Sequence, residues 1–347
     1  MSTMSTVSVR TLNIGVIGYG YWGPNLTRNF SEIPMSELVA IADLKDDRLQ
    51  RAKNLYANVI TTNDYTELFD LALDAVIIST PPITHYPIAK DCLEHGLHVL
   101  VEKPITLNSQ HAKELIELAD SRGLILMVGH TFEYNSAVIA LKEYIDSGEL
   151  GEIHYLDAAR LNLGLFQNDS NVLWDLAPHD ISILLYLLGE KPVTVSAQGM
   201  PCVYDDIYDV AYLNLIFPNN IPANIHVSWL DPCKVRRVTV VGSKKMIVYN
   251  DMESEQKLKI FDKGVDAPVY TNGGFDEFQF NYRSGDIVIP KIQMAEPLRK
   301  ECQHFLDCII NNEIPCSSGE VGWNVIKILE AAERSMSNGS THEVIQW

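Results

Sequence analysis

The sequence predicts a two-part α/β chain, a doubly wound parallel sheet followed by an α+β domain with an open, largely antiparallel sheet. Two patterns carry this. From Leu12 to about Val128, apolar β-rich runs alternate with amphipathic helical segments, whereas after Asn135 longer alternating runs follow one another with few helices between them. At 347 residues the chain is also too long for one comfortable core, so two domains are expected, over 11–132 and 133–338.

In the first part the expected strands are 12–17 (LNIGVI), 38–42 (LVAIA), 75–79 (AVIIS), 97–101 (GLHVLV) and 124–128 (LILMV), with a weaker one near 58–61. Segments 45–55, 84–95 and 109–121 have helical apolar spacing. Near-continuous apolar strands joined by helices imply a parallel sheet covered on both faces. In the second part a helix is expected over 135–147, then strands over 151–163, 193–203, 207–217, 222–230 and 236–242. One helix interrupts them at about 176–188, and two close the chain at 296–312 and 319–336, with Trp323, Ile326 and Leu329 as packing residues. Residues 250–292 read as loops with short strands.

Composition narrows the function. The chain has 27 basic and 45 acidic residues, a formal charge of -18, which argues against nucleic acid as a partner. Its six cysteines contain no C-x-x-C pair and read as reduced thiols rather than disulfides or a metal site. The start, MSTMSTVSVRTLN, lacks the apolar run of a signal peptide, and no run is long enough to span a membrane. A cytoplasmic protein is the expectation.

The first strand runs into GYGYWG, placing Gly18, Gly20 and Gly23 in G-x-G-x-x-G spacing, with Tyr21 and Trp22 between them and a helix opening in the same residues. In a first βαβ unit this arrangement holds a pyrophosphate at a helix N-terminus. Asp43 follows the second strand, 20 residues beyond Gly23, where a carboxylate accepts both ribose hydroxyls and repels a 2′-phosphate. NAD is therefore expected over NADP, although Lys45 and Arg48 stand close by, and Asp43 could equally cap the helix over 45–55. No group of metal ligands has readable spacing.

Ligands of such sheets lie outside the carboxyl ends of the strands. That places Thr80 and Pro81, after the fourth strand, and Glu102 and Lys103, after the fifth, at the nicotinamide end. Pro104 restricts Lys103 and makes their peptide a candidate cis bond. Downstream, WDLAPHD puts Asp175 and His179 four residues apart, on one face of a helix whose first turn is expected to contain Pro178. There the carboxylate could orient the imidazole, and the helix dipole would favour its neutral form. Alternatively, Asp175 caps the helix and His179 packs beneath it.

The glycine turn, the Thr80-Pro81-Pro82 loop with His85 after it, Glu102-Lys103-Pro104 and the D-x-x-x-H of Asp175 and His179 together resemble the glucose-fructose oxidoreductase and inositol dehydrogenase family, Gfo/Idh/MocA, from Leu12 to about Asn338. The resemblance implies an N-terminal Rossmann domain, a C-terminal domain whose open sheet often forms the contact of a homodimer or homotetramer, and His85 among the residues around the cofactor. It implies that Lys103 is the active-site lysine and that Asp175 and His179 are the acid and base pair, acting on one hydroxyl-bearing carbon.

The family mostly handles polyols and sugars. The segment ARLNLGLFQNDSNVLWDLAPHDISILLYLLG most resembles members acting at C3 of UDP-N-acetylglucosamine-type sugars. For such a substrate Arg160, Lys234, Arg236 and Arg237 are candidates for the diphosphate, or else an ordinary solvated face. Asn162 and Gln167 are candidates for sugar hydroxyls. Other readings are an inositol or free-sugar dehydrogenase, an NADPH-dependent keto-sugar reductase and an NAD-binding regulator.

Overall fold

Six parallel strands organise the first part of the chain. The computed structural model describes residues 10–166, 170–266 and 281–347. It divides into two units, one running to Tyr134 and including Ala295–Ile326, the other comprising Asn135–Met294 and Lys327–Trp347.

The first unit contains β1 (Leu12–Ile17), α1 (Gly23–Glu32), β2 (Ser36–Ala42), α2 (Asp46–Leu55), β3 (Ile60–Thr62), β4 (Ala75–Ile78), α3 (His85–Glu94), β5 (His98–Glu102), α4 (Ser109–Arg122) and β6 (Leu126–Gly129). The sheet order is β3-β2-β1-β4-β5-β6, every pair parallel. Each strand lies within about two residues of its expected position. All four residues of β4 are buried, as befits a strand covered on both faces. The chain reverses direction across the sheet between β1 and β4, which opens the crevice where ligands of this architecture bind.

The second unit contains α5 (Ser136–Asp146), β7 (Ile153–Leu163), α6 (Val172–Leu188), β8 (Thr194–Met200), β9 (Val210–Phe217), β10 (Ile221–Ser228), β11 (Leu230–Gly242), β12 (Met246–Asn250), β13 (Leu258–Asp266) and β14 (Asn281–Val288). The chain closes with α7 (Pro297–Asn311), α8 (Gly319–Ser337) and the short β15 (Glu343–Val344). The second sheet has nine strands in the order β14-β13-β12-β11-β7-β10-β9-β8-β15. It is antiparallel except for β7 and β10. No helix among the described residues is long and apolar enough to cross a membrane.

Three expectations differ from the structure. First, residues 295–326 group with the first unit, not the second. The apolar stripe of α7 supplies Leu298, Phe305 and Ile309 to the core under β1, with Phe305 edge-on to Phe30 of α1 at 6.4 Å, and Val128 N–H donates to Ser317 O at 2.8 Å. Second, 250–292 contains two long strands, β13 and β14, paired through Ile260↔Val288 and Asp266↔Asn281. Charged residues along both had masked the alternation. Third, α6 begins a turn earlier than expected, with Asn171 capping Trp174 N–H at 3.2 Å. Pro178 therefore sits inside the helix, where it removes the hydrogen bond to the Trp174 carbonyl. His179 then lies beyond the first turn, where the dipole argument for its neutrality fades.

Candidate active site

The glycine turn follows β1 directly. Gly18 has φ +96°, and a Cβ there would lie 2.7 Å from Ser79 O, so both its conformation and its contact with the β4 loop demand glycine. Its N–H donates to Ala42 O at 2.8 Å, and its own carbonyl accepts from Ser79 Oγ at 2.7 Å. At Gly23 a Cβ would meet Gly18 O at 2.3 Å, because α1 starts hard against the turn. Gly20 is different. A Cβ there would touch only the Arg48 guanidinium, at 3.4 Å, so the protein itself does not require glycine and the space is left for a ligand.

Asp43 follows β2 and is buried. One carboxylate oxygen accepts Tyr19 N–H at 2.6 Å and the Arg48 guanidinium at 3.1 Å, and the other accepts Lys45 N–H at 2.9 Å. Asp43 is thus an anchor of the turn. It does not cap α2, whose N-cap Lys45 makes no side-chain capping bond. The first turn of α1 holds no acidic residue and no side-chain cap, which leaves its N–H groups and positive end for an anion. Leu44 is 89% and Ile83 75% exposed, apolar surface at the ends of β2 and β4 suited to an adenine ring. Tyr21, 84% exposed, lies edge-on to Trp22 at 5.7 Å beside the turn. These features fit NAD.

After β5, the Lys103–Pro104 peptide is cis, as the sequence suggested. Lys103 N–H donates to Glu102 Oε2 at 3.3 Å. Burial pushes the Glu102 carboxyl up to about 7 against the opposing pull of Lys103. Burial, aided by Lys103, pushes His130 down to about 3. Behind them lie the buried Glu133 and Glu301, both held well above the usual carboxylate range, Glu133 by burial and then Glu301, and Glu301 by burial and then Glu102. Thr131 donates to Glu301 Oε2 at 2.7 Å.

His85 departs from its expected place at the cofactor. It is 1% exposed, with Nδ1 2.8 Å from Pro104 O and Nε2 2.8 Å from Thr80 O. Both ring nitrogens face backbone, so the imidazole braces the Thr80 loop and the Lys103 corner instead of facing a ligand. Pro81 is exposed, and its carbonyl accepts from Thr84 Oγ1 at 2.7 Å, which also lies 2.7 Å from Thr80 Oγ1.

In the second unit Asp175 and His179 are half-buried, one turn apart on α6. Asp175 Oδ2 accepts the indole N–H of Trp229 at 2.9 Å. Trp229 also packs on Phe166 at 5.6 Å and receives Gly164 N–H on its carbonyl at 2.8 Å, tying the segment after β7 to this helix. Arg160 corrects another expectation. It is 5% exposed and donates through Nε and Nη2 to the two carboxylate oxygens of Asp180, at 2.8 and 3.0 Å, so its charge is consumed inside the unit. Arg236 lies 3.5 Å from Asp251 and Arg237 4.0 Å from Asp157, while Lys234 is exposed. Asn162 is half-buried on β7, and Gln167 lies outside the described residues. Among the described residues no three His, Cys, Asp or Glu side chains are grouped to hold a metal ion.

The sequence had not singled out Trp229, Asp180 or Glu301. Glu301 had a legible signal, since it occupies a position on the apolar stripe of α7 between Leu298 and Phe305. Trp229 had none, because its link to Asp175 spans 54 residues.

A parallel sheet of this order, with a glycine turn opening α1 and an acidic residue after β2, defines a dinucleotide-binding oxidoreductase. Residues 12–130 match the family described as oxidoreductase family, NAD-binding Rossmann fold, and residues 138–248 match the GFO/IDH/MocA C-terminal domain. The chain belongs to the Gfo/Idh/MocA oxidoreductase family and is an NAD-binding oxidoreductase. It is 27% identical to scyllo-inositol 2-dehydrogenase (NAD(+)) of Bacillus subtilis, over 96% of this chain and 95% of that protein. It is 30% identical to UDP-N-acetylglucosamine 3-dehydrogenase of Acidithiobacillus ferrooxidans, over 66% of this chain and 71% of that protein. A solved structure of the latter enzyme superposes with a TM-score of 0.76 at 26% identity, covering 94% of this chain and 99% of that one.

Proposed function

We propose that the protein oxidises a secondary alcohol at C3 of a UDP-N-acetylglucosamine-type sugar. The observation that carries this reading is the 30% identity to UDP-N-acetylglucosamine 3-dehydrogenase. In the scheme, His179 accepts the hydroxyl proton and Asp175, held by the Trp229 indole, orients it. Lys103 donates to the substrate oxygen and stabilises its developing charge, a role worth about 3 kcal/mol for a single such donor. NAD, when bound, would supply the hydride acceptor, and the Gly18–Gly23 turn, Asp43, Thr80 and Pro81 would hold it. With Arg160 committed to Asp180, the cationic candidates for a diphosphate are Lys234, Arg236 and Arg237.

A second reading, an inositol dehydrogenase, is favoured by the match to scyllo-inositol 2-dehydrogenase over 96% of the chain. A substrate panel following NADH absorbance decides between them. Turnover of UDP-N-acetylglucosamine but not of inositols or glucose is the expected result, and preferential turnover of an inositol overturns it.

A further inference from the structure

The ring of His85 lies between two groups that can only accept: Pro104 O is 2.8 Å from Nδ1 and Thr80 O is 2.8 Å from Nε2. A neutral imidazole has one N–H and serves one of them; only the doubly protonated ring serves both. Burial, with the positive charge of Lys103 added to it, pushes the His85 pKa down, so the ring is neutral near pH 7. On α3 the neighbouring Tyr86 donates to Glu114 of α4 at 2.6 Å and stacks on His111, and Lys90 sits over the Tyr86 ring. Lys103 is thus the charged residue that acts on His85 from the facing corner.

The two carbonyls are not equivalent. The contact to Pro104 is buried, whereas that to Thr80 is only partly so. A buried acceptor left without a donor costs more than one that water reaches. The proton accordingly belongs on Nδ1.

We propose that His85 is a positioning residue for Lys103: as the Nδ1–H tautomer it holds the Pro104 carbonyl and so fixes the corner from which Lys103 projects. The Thr80 end is the weaker one, completed by water or by a second proton at acidic pH. This explains why a histidine is used at a point where neither nitrogen faces the cofactor.

The test separates the two ends of the ring. An asparagine amide reaches the place of Nδ1, and a glutamine amide that of Nε2. With the full chain, H85N should keep kcat near that of the unsubstituted protein, while H85Q and H85A lose roughly tenfold, the rate equivalent of one hydrogen bond. The NAD dissociation constant and the substrate KM should stay within about threefold, because Lys103 orientation and not binding is lost. Nitrogen-15 histidine spectra of the apo protein near neutral pH, with H85N assigning the signal, should show a protonated Nδ1 and a bare Nε2. A proton on Nε2, or H85Q matching the unsubstituted kcat while H85N loses it, overturns the proposal, as does equal kcat in all variants. The kinetic arm rests on the role proposed for Lys103. The spectra do not, so a protein that turned over no alcohol would sink that role and still decide the tautomer. Should H85A fail to fold, the Asn and Gln pair and the spectra carry the test.

Discussion

The Asp43 carboxylate accepts the backbone N–H of Tyr19 at 2.6 Å, joining the end of β2 to the glycine turn. The same carboxylate neutralises Arg48 at 3.1 Å, so a single residue shapes the phosphate turn and restrains the cation that would welcome a 2′-phosphate. Asp43→Ser should weaken NAD binding roughly tenfold or more, the equivalent of one hydrogen bond to a charged group. It should also raise use of NADP by freeing Arg48, and lower the thermal midpoint. Calorimetric titration with both cofactors checks this; unchanged discrimination would remove Asp43 as the selector.

The glycines separate fold from binding. Gly23→Ala forces a Cβ to within 2.3 Å of Gly18 O and should destabilise the chain by about 2 kcal/mol or more through overpacking. Gly20→Ala meets only Arg48 at 3.4 Å, so the thermal midpoint should barely move while NAD affinity falls. Equal loss of stability in both variants would argue that the space at Gly20 serves packing.

Lys103→Ala and His179→Ala should each lower kcat/KM by about a hundredfold or more while NAD still binds. Steady-state kinetics beside cofactor titration measures both quantities. Turnover close to that of the unsubstituted protein in either variant strikes that residue from the scheme.

Arg160 and Asp180 form a bidentate pair in the core of the second unit. Breaking it from one side leaves a buried charge without its counter-ion, so Arg160→Met or Asp180→Leu should cost about 3 to 5 kcal/mol. The double variant should recover much of that loss. Denaturant titration of the three proteins reads the coupling, and additive losses would show that the two charges are independent.

His130 makes stability depend on pH. Held down to about 3 by burial, it stays neutral in the fold while the unfolded chain takes up a proton near pH 6.5. Its contribution is therefore complete above about 6.5 and declines as the pH falls toward 3. Glu102, raised to about 7, acts oppositely. Its contribution is full below its unfolded value and is lost as the pH rises through 7, with Glu133 and Glu301 acting in the same sense. The difference between wild type and His130→Phe isolates one side. From pH 7 to pH 5 it should move in favour of the variant by about 2 kcal/mol, and a difference that stays constant with pH would contradict the assignment.

Much of this molecule was legible in local patterns. The apolar runs of β1, β4 and β5 and the spacing of Gly18, Gly20 and Gly23 report their own structure, because a parallel strand covered on both faces and a phosphate turn impose requirements on consecutive residues. Even the cis corner at Lys103 was signalled by the proline beside it. The strands β13 and β14 were not, since charged side chains interrupt the alternation on which such reading depends.

What folding alone decided is which polar groups meet. Nothing in the spacing of Arg160 and Asp180 indicates that one binds the other, because their pairing follows from how α6 packs on β7. Nothing in the sequence separates a histidine that faces a cofactor from one, like His85, whose two nitrogens are spent on Thr80 and Pro104. Such partners are chosen by distance in three dimensions, in a medium where an unmet charge or carbonyl is costly, and sequence separation carries no measure of either.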